Sequence, residues 1–88
     1  MYSLIVIPKV NKIFAKISKK NPKFLEIIYG KLDQIVTNPF HFKPLRGNMH
    51  GFRRAHVNKS FVIVYEIIEV DTCVRVVDYA HHDSVYES

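Results

Sequence analysis

The chain has little of what several function classes require. Among its 88 residues there are three glycines, one cysteine and no tryptophan. A single cysteine excludes an internal disulfide framework, and Cys73, set in a strand-like run, reads as a small core residue of a protein kept in a reducing interior. Three glycines leave no Gly-rich loop to cradle the phosphates of a nucleotide, and no glycine elbow exposes Ser84 as a nucleophile, so that residue reads as a cap of a terminal turn. The opening apolar run, residues 2–7, is far too short to span a bilayer and has no basic segment ahead of it. A cytoplasmic protein without a membrane partner is therefore expected. Acidic residues are scarce where basic ones gather: residues 1–59 hold twelve of the thirteen Lys and Arg against only Glu26 and Asp33, a balance of +10. The last 29 residues hold one cation and six acids, a balance of −5. Such asymmetry fits a polyanionic partner, fixing its sign more than its identity.

What is present fits one small domain, residues 1–88, whose 48% of hydrophobic residues suffices for one core between two packed layers. Residues 4–7 form a short strand-like run that Pro8 ends, and Pro8 suits the first position of a helix. Val10, Ile13, Phe14 and Ile17 follow at helical spacing. Asn21 and Pro22 are a cap and first-turn pair, opening a second helix whose stripe is Phe24, Ile27, Ile28, Leu32, Ile35 and Val36. Residues 38–48 carry two prolines and no period, and are expected to be a loop. Residues 52–57, 60–66 and 72–80 are rich in Val, Ile and aromatics, with turns between them. The fold class is α+β: an N-terminal strand, a helical hairpin and an antiparallel three-strand meander (β-α-α-β-β-β), closed by a short turn or helix at residues 83–87.

Chemistry concentrates at the end of the chain, where the last strand delivers His81, His82, Asp83, Ser84, Val85 and Tyr86. Imidazoles titrate near neutral pH, and a phenol both donates a proton and stacks on a base. In strand 52–57, alternation sets Phe52, Arg54 and His56 on one face and Arg53, Ala55 and Val57 on the other. In the last strand Cys73, Arg75, Val77 and Tyr79 share a face, where Arg75 either extends the cationic surface or pairs with Asp78 or Glu66. The loop offers His41, Lys43 and Arg46. Cleaving RNA without a metal needs a base, an acid and cations around the phosphate, and His82, His56, Tyr86, Lys43 and Arg54 supply those types. His81, His82 and Asp83 are metal-ligand types, but neighbours on a strand point to opposite faces, so no metal site is expected. His41 and His50 lack patterned companions and read as structural.

Several stretches together resemble the RelE superfamily of type II toxins, most closely its YafQ-like branch. They are Lys43-Pro44-Leu45-Arg46-Gly47, then Gly51-Phe52-Arg53-Arg54-Ala55-His56-Val57, then residues 61–65, and finally Ala80-His81-His82 with Val85-Tyr86. The resemblance covers essentially the whole chain. It implies a RelE-like fold and a ribosome-dependent, metal-independent mRNA endonuclease that uses no cofactor. It further implies neutralisation by a small RelB- or DinJ-like antitoxin, as a heterotetramer. By position, His82 matches an acid or phosphate clamp and Tyr86 a terminal aromatic that serves as base or stacking platform. His56 falls on a second-strand imidazole, and Lys43, Arg46, Arg53, Arg54 and Arg75 are the expected RNA and phosphate contacts. Lys43 stands where YafQ-like toxins have a His, Arg54 and Ser60 replace acidic residues, and Val62 replaces an arginine of the RelE branch. The base role then falls to Tyr86 or His56, since an ordinary Lys is a poor base at neutral pH. The rivals are a non-enzymatic ParE-like toxin that blocks DNA gyrase, and a degenerate toxin that only binds its antitoxin.

Overall fold

The computed structural model describes residues 1–86, with side chains as far as Ser84. The chain runs through β1 (Ser3–Val6), α1 (Pro8–Lys20), α2 (Pro22–Thr37), β2 (Lys43–Pro44), β3 (Arg53–Val57), β4 (Phe61–Ile68), β5 (Cys73–His81) and α3 (His82–Tyr86). Short 3₁₀ turns lie at Gly47–Met49 and Glu69–Asp71. The α+β order expected from the sequence is present, with one strand more. Part of residues 38–48, expected to be a loop, pairs with β3 as β2. A proline is compatible with that place, because β2 is the edge of the sheet and nothing beyond it needs the missing N–H.

The helical hairpin follows from local chemistry. Pro8 opens α1 behind an extended Ile7, where a helix has no use for the absent N–H. Lys19 and Lys20 in the last turn sit favourably against the negative end of the helix dipole. Asn21 then serves both helices. Its backbone N–H closes α1 on the Ile17 carbonyl at 2.7 Å, and its side chain accepts from the Phe24 N–H at 3.2 Å to open α2. Leu25, Ile28, Leu32, Ile35 and Val36 recur along one stripe of α2 and are buried.

The sheet has the order β1-β5-β4-β3-β2, with β1 parallel to β5 and every other pair antiparallel. The two helices form the crossover that lets the first strand run parallel to the last. One face, carrying Ala55, Val57, Ile63, Tyr65, Val74 and Val76, packs with Val10, Phe14 and the α2 stripe into the main core. Each such aliphatic side chain contributes about 1.5–3 kcal/mol on full burial. On the other face Leu45, Val62 and Val64 make a smaller cluster with Met49, Phe52 and Val77. The face assignment read for β3 is therefore the one observed.

β5 does not keep one phase. The register shifts between Val64 and Tyr65, so that Val64 faces Asp78 and Tyr65 faces Val76, leaving Val77 as an extra residue. The expected grouping of Cys73, Arg75, Val77 and Tyr79 on one face is thereby broken: Val77 joins the smaller cluster and Tyr79 the main core. The β3–β4 turn falls at Asn58 and Lys59 as expected, with φ of 52° and 70°. Asn tolerates that region; Lys, with its Cβ, less so. No helix among the described residues is long and apolar enough to cross a membrane.

Candidate functional site

The pairing of β2 with β3 sets Lys43 directly opposite Arg54. Like charges in such a pair repel, so this arrangement raises the local potential for an anion. Two residues along β3, on the same face as Arg54, stands His56. His56 pairs with Val62 on β4, and Val62 pairs with Ala80 on β5. That row leads to His82, whose backbone N–H donates to the Ser60 carbonyl at 2.9 Å. The rings of His56 and His82 lie 6.3 Å apart between centroids.

His41, Phe42, Lys43, Arg54 and His56 line an open groove of about 400 Å³. Three of these were expected in a site. His41, expected to be structural, lines the groove beside them, two residues before Lys43 in one extended segment. His56 titrates below the ordinary histidine value of 6.5, first because it is partly desolvated and then because Arg54, His82, Lys31 and Lys43 oppose a further positive charge. Lys31, on α2, was not anticipated at all. It reaches this region over the Phe42 ring, 5.6 Å from the centroid.

The groove wall is held from behind. Arg53, expected among the phosphate contacts, turns to the helix side, where its guanidinium donates to the carbonyls of Phe42 at 2.7 Å and Phe40 at 3.4 Å. It also lies 5.4 Å from the Phe40 ring centroid. Buried Tyr65 donates its hydroxyl to the Pro39 carbonyl at 2.6 Å, and burial pushes its pKa up to about 12. Together they fix the segment that carries His41 to Lys43. Arg75 takes the other option open to it and donates to Glu66 through Nε at 2.7 Å. Arg46 and His50 are exposed at the two ends of the first 3₁₀ turn and do not line the groove. The side chain of Tyr86, expected to be catalytic, lies outside the described residues.

At the β5–α3 junction the strand rule for neighbouring residues stops applying, because His81 ends the strand and His82 begins a helical turn. The two rings stack at 5.1 Å and 30° instead of pointing to opposite faces. Asp83 Oδ2 lies 3.6 Å from His81 Nδ1 and Asp83 Oδ1 lies 3.1 Å from His82 Nε2. Separately, Ile13, Ile17, Phe24, Phe61 and Tyr79 line an apolar groove of about 510 Å³ between the helices and the end of the sheet.

The profile of the ParE toxin of type II toxin–antitoxin systems, parDE, matches residues 5–86. A protein of Methanocaldococcus jannaschii named as a RelE-type toxin is 40% identical over 87 residues, covering 99% of this chain and 93% of that one. Among solved structures, the toxin–antitoxin complex RelBE2 of Mycobacterium tuberculosis has a chain superposing with a TM-score of 0.78 at 20% identity, over 91% of this chain and 96% of that one. The YoeB/ParE toxin of Agrobacterium tumefaciens superposes with a TM-score of 0.81 at 16% identity, over 91% and 98% respectively. A family match across nearly the whole length, a relative of this identity and a shared fold lead to one conclusion: the chain belongs to the ParE toxin family, within the RelE/ParE superfamily of type II toxin–antitoxin toxins.

Proposed function

We propose that this toxin is an endoribonuclease that cuts mRNA at the ribosome and so halts translation, with its own side chains rather than a metal or cofactor doing the chemistry. The observation that supports this best is His56, an imidazole biased to its neutral form, beside two opposed cations and a second imidazole. Neutral His56 accepts the proton of an RNA 2′-hydroxyl, and the 2′-oxygen attacks the adjacent phosphorus. The bond to the 5′-oxygen breaks, and His82 gives that oxygen a proton. The products are a 2′,3′-cyclic phosphate and a 5′-hydroxyl. Lys43 and Arg54 stabilise the charge that builds on the phosphorane-like transition state, and Phe42 offers a splayed base a stacking face.

The test is cleavage of mRNA on programmed ribosomes by the parent, His56→Gln and His82→Ala. Each substitution should lower the rate by about a hundredfold or more. Equal cleavage by either variant removes its residue from the mechanism. The parDE name of the matching family favours one second reading, a toxin that blocks DNA gyrase by binding it. Inhibition of gyrase supercoiling by the parent and by both variants alike, with no cut mRNA, would put that reading in place of the nuclease.

The antitoxin partner is read as a small RelB- or DinJ-like protein in a heterotetramer. Its amphipathic segment would cover the apolar groove of Ile13, Ile17, Phe24, Phe61 and Tyr79. Co-expression with the protein encoded beside this one, followed by measurement of complex mass, checks both partner and stoichiometry. Ile17→Glu should abolish the complex.

A further inference from the structure

The junction of β5 and α3 gathers three ligand-bearing side chains that RNA cleavage does not need as a group. One ligand atom from each of His81, His82 and Asp83 lies within 4.8 Å of the others. Metal–nitrogen and metal–oxygen bonds of about 2.0–2.1 Å put the corners of a tetrahedral site about 3.4 Å apart. The Asp83 carboxylate holds one oxygen near each imidazole at close to that spacing, Oδ2 3.6 Å from His81 Nδ1 and Oδ1 3.1 Å from His82 Nε2. The Asp83 N–H donates to His81 Nδ1 at 3.3 Å, a long bond that ligation would replace. Two imidazole nitrogens and one carboxylate suit borderline transition ions and not Mg²⁺ or Ca²⁺, which prefer oxygen. His81 and Asp83 are exposed, so an ion can reach them.

We propose that His81, His82 and Asp83 form a binding site for a divalent transition metal of the Zn²⁺ or Ni²⁺ class, with solvent completing the coordination. An ion there ties the last residue of β5 to the first turn of α3. It also occupies His82 Nε2, so the metal and the RNA phosphate compete for one imidazole. That competition rests on the nuclease reading above; binding of the ion does not.

The test titrates the EDTA-treated full-length toxin with Zn²⁺, followed by calorimetry and by NMR of the histidine rings. One ion per chain is expected, with the His81 and His82 rings shifting together and an excess of Mg²⁺ without effect. His81→Gln and Asp83→Asn should each weaken binding by about tenfold or more. Absence of saturable binding, or affinity unchanged in these variants, overturns the site. In the cleavage assay Zn²⁺ should inhibit the parent and spare His81→Gln, which should cut RNA as well as the parent when no ion is added. Binding without inhibition overturns the competition alone. If the parent cuts no RNA in any condition, the nuclease reading fails and the titration still decides the metal site.

Discussion

Lys43 and Arg54 face each other across the β2–β3 ladder, two cations in directly opposed positions at the mouth of the groove. Ladder pairs of like charge destabilise a sheet, so the pair weakens the fold while it strengthens attraction for phosphate. Lys43→Gln should therefore raise the melting temperature slightly and lower RNA cleavage about tenfold or more. A fall in both quantities would show that the lysine holds the sheet together and does not serve the groove.

The pH dependence follows from His56. Its folded pKa lies below the ordinary 6.5, so the neutral, proton-accepting form persists to lower pH than in a free histidine. The acid limb of the cleavage profile should fall below pH 6.5, and Lys43→Gln should move it upward by removing one opposing charge. Stability follows the same sign. The unfolded chain binds the proton more readily, so the contribution of His56 is complete above the unfolded pKa and is lost as pH falls through the folded value. NMR titration of the His56 ring measures the shift directly.

The wall behind the groove can be loosened without touching its lining. Tyr65→Phe removes the hydroxyl that holds the Pro39 carbonyl and should cost about 1 kcal/mol of stability. Arg53→Ala releases the Phe40 and Phe42 carbonyls as well as the stacking on Phe40. It should lower cleavage with no loss of folded structure by circular dichroism, and faster amide exchange at residues 40–43 should accompany the loss.

Gly30 lies inside α2, where an added Cβ would meet nothing within 4 Å. A mid-helix glycine costs about 0.5–1 kcal/mol relative to alanine. Gly30→Ala should stabilise the toxin by that amount in denaturant unfolding and leave its activity unchanged.

Much of this architecture is legible in the sequence because its causes are local. Pro8 and the Asn21-Pro22 pair mark the helix starts, and periods of 3.6 and 2 separate the helices from the strands. The alternation Phe52, Arg54, His56 against Ala55 and Val57 is readable for the same reason, and it alone sets Arg54 and His56 on one face. What escapes such reading depends on contacts between distant segments. β2 is strand only because Lys43 and Pro44 find Arg54 and Arg53. Lys31 reaches the groove through the packing of α2, which no local pattern displays. Arg53 looks like its neighbour Arg54 in sequence, yet one side of β3 meets the groove and the other meets backbone carbonyls. The stacking of His81 on His82 depends on where the strand ends, and a shift of one residue in that boundary changes the geometry.

The extra residue in β5 acts like a single-letter insertion in a message read in pairs. Up to Val76 the even positions belong to the helix side of the sheet; beyond Val77 the odd ones do, as Tyr79 shows. Without the bulge, with Val77 paired as an ordinary ladder residue, strict alternation would exchange the sides of Tyr79 and Ala80, exposing a large ring and turning the following histidines away from His56. The histidine-bearing end of the sheet is thus kept in frame by a residue that lies outside the groove lining.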